Sequence, residues 1–296
     1  MAISETQLDT WSKQGAIQSS AATYNTVREA LVASDAPYAA KSYEIFLQGS
    51  YGNDTNIYAD SDVDVVIATD SVYYRDVEAL SPSDKAAFDA SWSSASYDYD
   101  DFKRDVLLQL TKRFDPDVTV GNKAIAIAAR GNRRDADVVA AVQFRRYWSY
   151  KSFHDQNYTD GICFWTKNGV QIINYPKQHK ANATAKHQAT SGWFKPCVRI
   201  LKNMRNTMVD KGYLAAGVAP SYFLEGMLYN VPNDKFGGSY VDTISRAINW
   251  LIACDRDALV CANGQYKLCH PTSPVTWRAE QLQAYLDAVV SYWNAP

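Results

Sequence analysis

Two short stretches of this sequence carry residue types spaced for chemistry on phosphates. Gly49-Ser50 is followed, after a gap of eleven residues, by Asp62-Val63-Asp64, and Asp137 opens the run Asp-Val-Val-Ala-Ala-Val. Side chains alternate faces along a strand, so Asp62 and Asp64 leave one side while Val63, Val65 and Ile67 face a core. Residues two apart on a strand lie about 6.6 Å apart, close enough for both carboxylates to lean onto shared cations. Without a cation they repel. Gly49 lets the backbone turn and approach a ligand closely, and a short helix beginning near Ser50 would aim free N–H groups at an anion. Residues 45–67 therefore offer both a phosphate cradle and metal ligands.

Asp137 is the candidate third carboxylate. Its run has the style of Asp64-Val-Val-Ile, and neighbouring strands lie about 4.8 Å apart; Asp135 shares its parity and is the fallback. Three carboxylates suit two Mg²⁺ ions, with Mn²⁺ as an alternative, about 3.5–4 Å apart on a triphosphate. Such ions would lower the pKa of an attacking hydroxyl and offset charge on the α-phosphate and the leaving pyrophosphate.

The elements that must position these groups follow from periodicity. Ser4 and Gln7 resemble a capping box, and Leu8, Trp11, Ile17, Tyr24, Val27 and Leu31 continue as one long helix, kinked near Gly15. Residues 43–48 and 62–69 read as strands around the Gly-Ser turn, and 71–96 as polar sequence with a helical patch at 83–90. A helix over 97–114 buries Phe102, Val106, Leu110 and Phe114 and stops at Asp115-Pro116. Strand-like runs follow at 117–120, 123–129 and 135–142, with a solvated turn at Arg130–Arg134 between the last two. Asn168-Gly169 between apolar runs marks a hairpin. Residues 177–191 are polar and weakly structured, and helices are expected at 192–211, 220–230, 241–254 and 277–294. The outline is α+β: residues 1–176 form a mixed-sheet catalytic lobe, and residues 177–296 a helical lobe.

Bulk properties exclude several classes. A net charge of −2 argues against a protein held on nucleic acid by a strong positive field. No run approaches the roughly 20 apolar residues of a membrane span, so a soluble, cytoplasmic protein is expected. Five scattered cysteines without a C-x-x-C pair suit reduced thiols. Cys254, Cys261, Cys269 and His270 could donate to zinc, but their spacing fits none of the usual structural-zinc patterns. Lys195, Arg199, Lys202 and Arg205 form one basic stripe at helical spacing. Alone it reads as a solvated face; facing a cleft, it would attract triphosphates.

The turn, the gap of eleven, Asp62-Val-Asp64 and the distant Asp137 resemble the signature of polymerase-β-type nucleotidyltransferases. The fuller string from Gln48 to Ile57, closing on Asp60-Ser-Asp-Val-Asp-Val, resembles the bacterial cGAS/DncV-like nucleotidyltransferases (CD-NTases), and the likeness continues through Arg199-Ile-Leu-Lys202 and Ser221 to Pro232. The resemblance implies a polymerase-β-like lobe and a helical lobe with the active site in the cleft between them. It also implies that nucleoside triphosphates (ATP, GTP, CTP or UTP) are joined into a cyclic di- or trinucleotide for antiphage signalling, with regulatory partner proteins in some members. It makes Asp62, Asp64 and Asp137 the catalytic metal ligands and Asp60 a loop residue, and places Gln48, Gly49, Ser50, Lys202 and Ser221 on nucleotide, with Tyr222 stacking on a base. Tyr222 packed in the helical core is the plainer reading. A nucleotidyltransferase acting on a small molecule, a protein or an RNA end, and an inactive nucleotide-binding module, are the competing functions.

Overall fold

The structure, a computed structural model, describes residues 3–15, 17–58, 62–93 and 95–295; Asp60 lies outside them. The chain forms two compact units, one of residues 18–48 and 61–176, the other of residues 1–17, 49–60 and 177–296. The last stretch of the second unit begins at Lys177. The stretches 1–17 and 49–60 belong with the helical unit, which the sequence reading had assigned to the sheet lobe.

In the sheet unit, β1 (Tyr43–Leu47), β2 (Val63–Asp76), β5 (Ala136–Ser152), β4 (Ile125–Ile127) and β3 (Val118–Val120) are hydrogen-bonded in that order, with β6 (Asp155–Trp165) on β5 and β7 (Gln171–Asn174) on β6. β2 and β5 run parallel, and the other pairs are antiparallel. β5 takes β4 along its first residues and β6 along the rest, which accounts for its length. Helices α2 (Gln18–Leu31), α4 (Pro82–Ser91) and α5 (Tyr99–Phe114) pack on this sheet. Val66 is buried although it shares the parity of Asp64, so β2 is covered on both faces, as a central parallel strand should be.

Two strands are longer than sequence suggested. β2 continues to Asp76 and β5 to Ser152, and β5 joins β6 through Phe153-His154, which carries none of the usual turn residues. Buried Phe144, Tyr147 and Tyr150 hold this extension. The turn at Arg130–Arg133 is not a free solvated loop: Arg133 donates to Asp117 at 2.7 Å and to the Ala128 carbonyl.

The helical unit is built on α1 (Glu5–Ser12), α3 (Gly49–Gly52), α6 (Pro176–Ala189), α7 (Phe194–Asp210), α8 (Ser221–Tyr229), α9 (Tyr240–Ala253) and α10 (Ala279–Trp293). Its core joins Leu8 to Phe194, Val198, Leu201, Leu224, Ile244, Leu282 and Trp277. The segment read as weakly structured is α6. Its amphipathic pattern is hidden because its inner face is polar: His179 meets Glu225, Asn182 donates to the Ala262 carbonyl and Lys186 to the Val231 carbonyl.

The expected single N-terminal helix is two, with a break between Ser12 and Gln18. The Gly15 N–H donates to the Asn56 carbonyl, and a Cβ on Gly15 would lie 2.4 Å from the Ile57 carbonyl oxygen. Only glycine permits that approach. Gly15→Ala is expected to destabilise the fold by about 1–3 kcal/mol through overpacking. A thermal melt matching the wild type would show that the loop gives way freely.

Candidate active site

β1 delivers the chain to Gln48, whose N–H donates to the Asp64 carbonyl at 3.0 Å, so the end of the strand is tied directly to the carboxylate-bearing residue. Gly49 then takes φ +65°, a left-handed conformation that other residues adopt only at a cost, and opens the one-turn helix α3 with Ser50. The Gln48 Oε1 is buried and accepts no hydrogen bond among the described residues.

In the parallel pairing of β2 and β5, Asp64 stands opposite Asp137, flanked by Val63–Ala136 and Val65–Val138. Both aspartates are half-buried, and Asp62, just ahead of β2, is exposed. Burial and then the charges of Asp62 and Asp135 push the Asp137 carboxyl above its usual range. The fallback residue serves another purpose: Asp135 is exposed, accepts the Ala129 N–H at 2.8 Å and so shapes the turn into β5. Among the described residues no three His, Cys, Asp or Glu side chains already stand close enough to hold a metal. The donor set still suits a hard cation, since it offers carboxylate oxygens alone and Asp137 is strained by like charge that a divalent ion would relieve.

The basic stripe on α7 is neither a solvated face nor an open cationic surface. Lys195 pairs with the Asp54 carboxylate at 2.8 Å, and Arg199 donates to the Ser12 and Asp54 carbonyls. Lys202 is fully buried with its ammonium 3.0 Å from the Thr55 carbonyl, and Arg205 donates to the Ala219 carbonyl and the Ser221 hydroxyl. The four share one face, as their spacing predicts, and within the unit they clamp the polypeptide around residues 54–55 and the start of α8.

Glu225 on α8 completes this clamp and was missed. Its carboxylate, buried in the unit, takes hydrogen bonds from Asn53 Nδ2 at 2.9 Å, Thr55 Oγ1 at 2.5 Å and His179 Nε2 at 2.6 Å. Burial alone would raise its pKa, but the bond from His179 and that ring's charge, then the Thr55 bond and, last, the Lys202 charge hold it below the ordinary glutamate range. A glutamate amid Leu224, Gly226 and Met227 was the available signal, since a charge on a buried helix face demands partners. Tyr222 lies against the His179 ring, centroids 4.9 Å apart and planes tilted by 30°, and its hydroxyl accepts from Asn263. Ser221 is the first residue of α8 and is half-buried.

The predicted residues thus fall into two sets. Gln48, Asp62, Asp64 and Asp137 belong to the sheet unit; Gly49, Ser50, Lys202, Ser221 and Tyr222 belong to the helical unit. Of the cysteines, Cys261 faces the Lys267 carbonyl and Cys254 the Leu251 carbonyl, while His270 Nδ1 accepts the Thr272 and Ser273 N–H groups. Among the described residues no helix is long and apolar enough to cross a membrane.

A mixed sheet bearing in-register aspartates, followed by a helical domain, is the make-up of a nucleotidyltransferase. Residues 181–294 match the cGAS/DncV-like nucleotidyltransferase C-terminal helical domain. Over its whole length the chain is 37% identical to the cyclic UMP-AMP synthase of Rhodothermus marinus, across 99% of each chain. The structure of that synthase with Apcpp and Upnpp superposes with a TM-score of 0.88 over 98% of this chain and 96% of the other. The cyclic nucleotide synthase CdnE01 of Staphylococcus haemolyticus is 32% identical across 99% of each chain. The Elizabethkingia meningoseptica CdnE cyclic dinucleotide synthase with GTP and Apcpp superposes with a TM-score of 0.78 at 28% identity, over 99% of this chain and 100% of that one. The chain belongs to the cGAS/DncV-like nucleotidyltransferase family.

Proposed function

We propose that this CD-NTase joins two nucleoside triphosphates, with release of pyrophosphate, into a cyclic dinucleotide that serves as an antiphage signal. The observation that carries the reading is the in-register pair Asp64 and Asp137 with Asp62 one step ahead of the strand. The dinucleotide is favoured over a trinucleotide by the names of the relatives, a cyclic UMP-AMP synthase and a cyclic dinucleotide synthase among them. Relatives crystallised with triphosphates or their analogues support nucleoside triphosphates as substrates.

Asp62, Asp64 and Asp137 are assigned as ligands for two Mg²⁺ ions, which supply charge neutralisation on the triphosphate and activation of the attacking hydroxyl. The amides at Gly49 and Ser50 and the Ser50 hydroxyl are assigned to phosphate oxygens. Gln48, whose buried Oε1 accepts no hydrogen bond among the described residues, is assigned to a ribose hydroxyl through that oxygen. Ser221, with Arg205 against its hydroxyl, is the helical unit's candidate for phosphate. Lys202 and Tyr222 act from behind, by holding the backbone that bears the cradle.

Incubation with all four labelled triphosphates and Mg²⁺ or Mn²⁺, then phosphatase treatment and mass spectrometry, is expected to leave a phosphatase-resistant cyclic dinucleotide. Transfer to a small molecule, protein or RNA end in place of self-joining would overturn the proposal. So would triphosphate binding without turnover under every metal and with cell extract added.

A further inference from the structure

The segment that follows the Gly-Ser turn is held twice over, and the two holds share residues. The Asn53 N–H donates to the Gly49 carbonyl at 3.1 Å, and the Thr55 N–H donates to the Ser50 carbonyl at 2.9 Å. The side chains of the same two residues donate to Glu225, Asn53 to Oε2 and Thr55 to Oε1. A rigid path therefore runs from a buried carboxylate, through two side chains and two amides, to the carbonyl oxygens of the two turn residues. His179 fixes the carboxylate from α6, and Lys202 fixes the Thr55 carbonyl from α7. Between the two anchored residues, Asp54 takes φ +57°, a strained conformation for a residue with a side chain, and its carboxylate is held by Lys195.

We propose that Glu225 is a positioning residue for the phosphate-binding turn: through Asn53 and Thr55 it sets the direction in which the Gly49 and Ser50 amides point. The proposal rests on the assignment of that turn to triphosphate made above. Three features argue that the cluster serves position more than general stability. A carboxylate buried amid apolar residues is costly unless every bond is made, and an apolar residue of similar volume would hold α8 in its core equally well. Two of its hydrogen bonds, from Asn53 and Thr55, come from this one loop, across about 170 residues of sequence. The two residues that meet Glu225 are also the two whose amides close back on Gly49 and Ser50, so the carboxylate reaches the turn by the shortest path open to it.

A turn that holds triphosphate equally in the ground and transition states governs KM, whereas a purely structural defect lowers the active fraction and so the apparent kcat. Glu225→Gln removes the charge, and Thr55→Val removes one bond while keeping both shape and charge. For both variants the KM for triphosphate is expected to rise about tenfold or more, with kcat per folded molecule within about threefold of wild type. Thr55→Ser, which keeps the hydroxyl, is expected to restore the wild-type KM. Equilibrium titration with a non-hydrolysable triphosphate supplies a second readout and should show the same weakening. If wild type binds the analogue and Thr55→Val binds it equally well, or loses kcat at unchanged KM, the positioning role is overturned while the site assignment stands. If wild type itself neither binds nor consumes triphosphates, the assignment of the turn fails and the positioning role fails with it.

Discussion

Asp137→Asn is expected to lower the rate of nucleotide joining by at least about 10³-fold, equivalent to about 4 kcal/mol of transition-state stabilisation. Asp64→Asn should do the same, and the double variant Asp62→Asn/Asp64→Asn should leave no product. The fold should not suffer. Asp137 is half-buried, and its carboxyl is pushed up by burial and by Asp62 and Asp135, so in the metal-free protein it is a source of strain. An amide at that place keeps the shape and removes the repulsion. The melting temperature without metal should therefore hold or rise, the pattern expected where a site keeps charges that the fold alone would discard. Added Mg²⁺ should raise the melting temperature of wild type and leave Asp137→Asn unmoved. A variant that makes product at the wild-type rate, or that melts well below wild type, would remove Asp137 from the metal site.

The carboxylates were legible because strand alternation is a strict geometric rule. Asp62, Asp64 and the style of the Asp137 run sufficed to place two strands side by side, and the register bears this out at Asp64 and Asp137. Other features were hidden for physical reasons that differ from case to case. β5 and β6 meet through Phe153-His154, so no glycine, proline or asparagine announces the hairpin. α6 fails the amphipathic test because its inner face is built from His179, Asn182 and Lys186, whose cost of burial is offset by hydrogen bonds no sequence pattern displays. The grouping of residues 49–60 with the helical unit was equally invisible. It depends on carbonyls at 54–55, and backbone acceptors look alike in every sequence.

The same limit explains the α7 stripe. Helical spacing showed that Lys195, Arg199, Lys202 and Arg205 share a face. It could not show that this face meets an anionic side chain and a row of carbonyls. A stripe of cations beside the turn proposed to bind phosphate invites a direct role in binding, yet these cations bond to Asp54 and to backbone carbonyls one layer behind. The arrangement suits a site that must take highly charged triphosphates from water: exposed cations would also draw other anions, whereas cations tied to the backbone give the turn its shape and keep it when the ligand leaves.

Lys202 is where this view makes its sharpest demand. An exposed phosphate-binding lysine can be truncated with little effect on the fold, but Lys202 has no exposed surface and its charge faces that of Glu225. Lys202→Met is expected to destabilise the helical unit by about 3–5 kcal/mol, since the Thr55 carbonyl loses its buried donor and the buried Glu225 carboxylate loses a nearby positive charge. Adding Glu225→Gln to Lys202→Met removes both charges and should recover most of the loss, a coupling that a double-mutant cycle on thermal or denaturant unfolding reads directly. For a chain of this size the single variant should melt about 6–20 °C below wild type. Wild-type stability in Lys202→Met, with only the KM for triphosphate raised, would return Lys202 to direct contact with nucleotide; additive losses in the double variant would show that the lysine and Glu225 act independently.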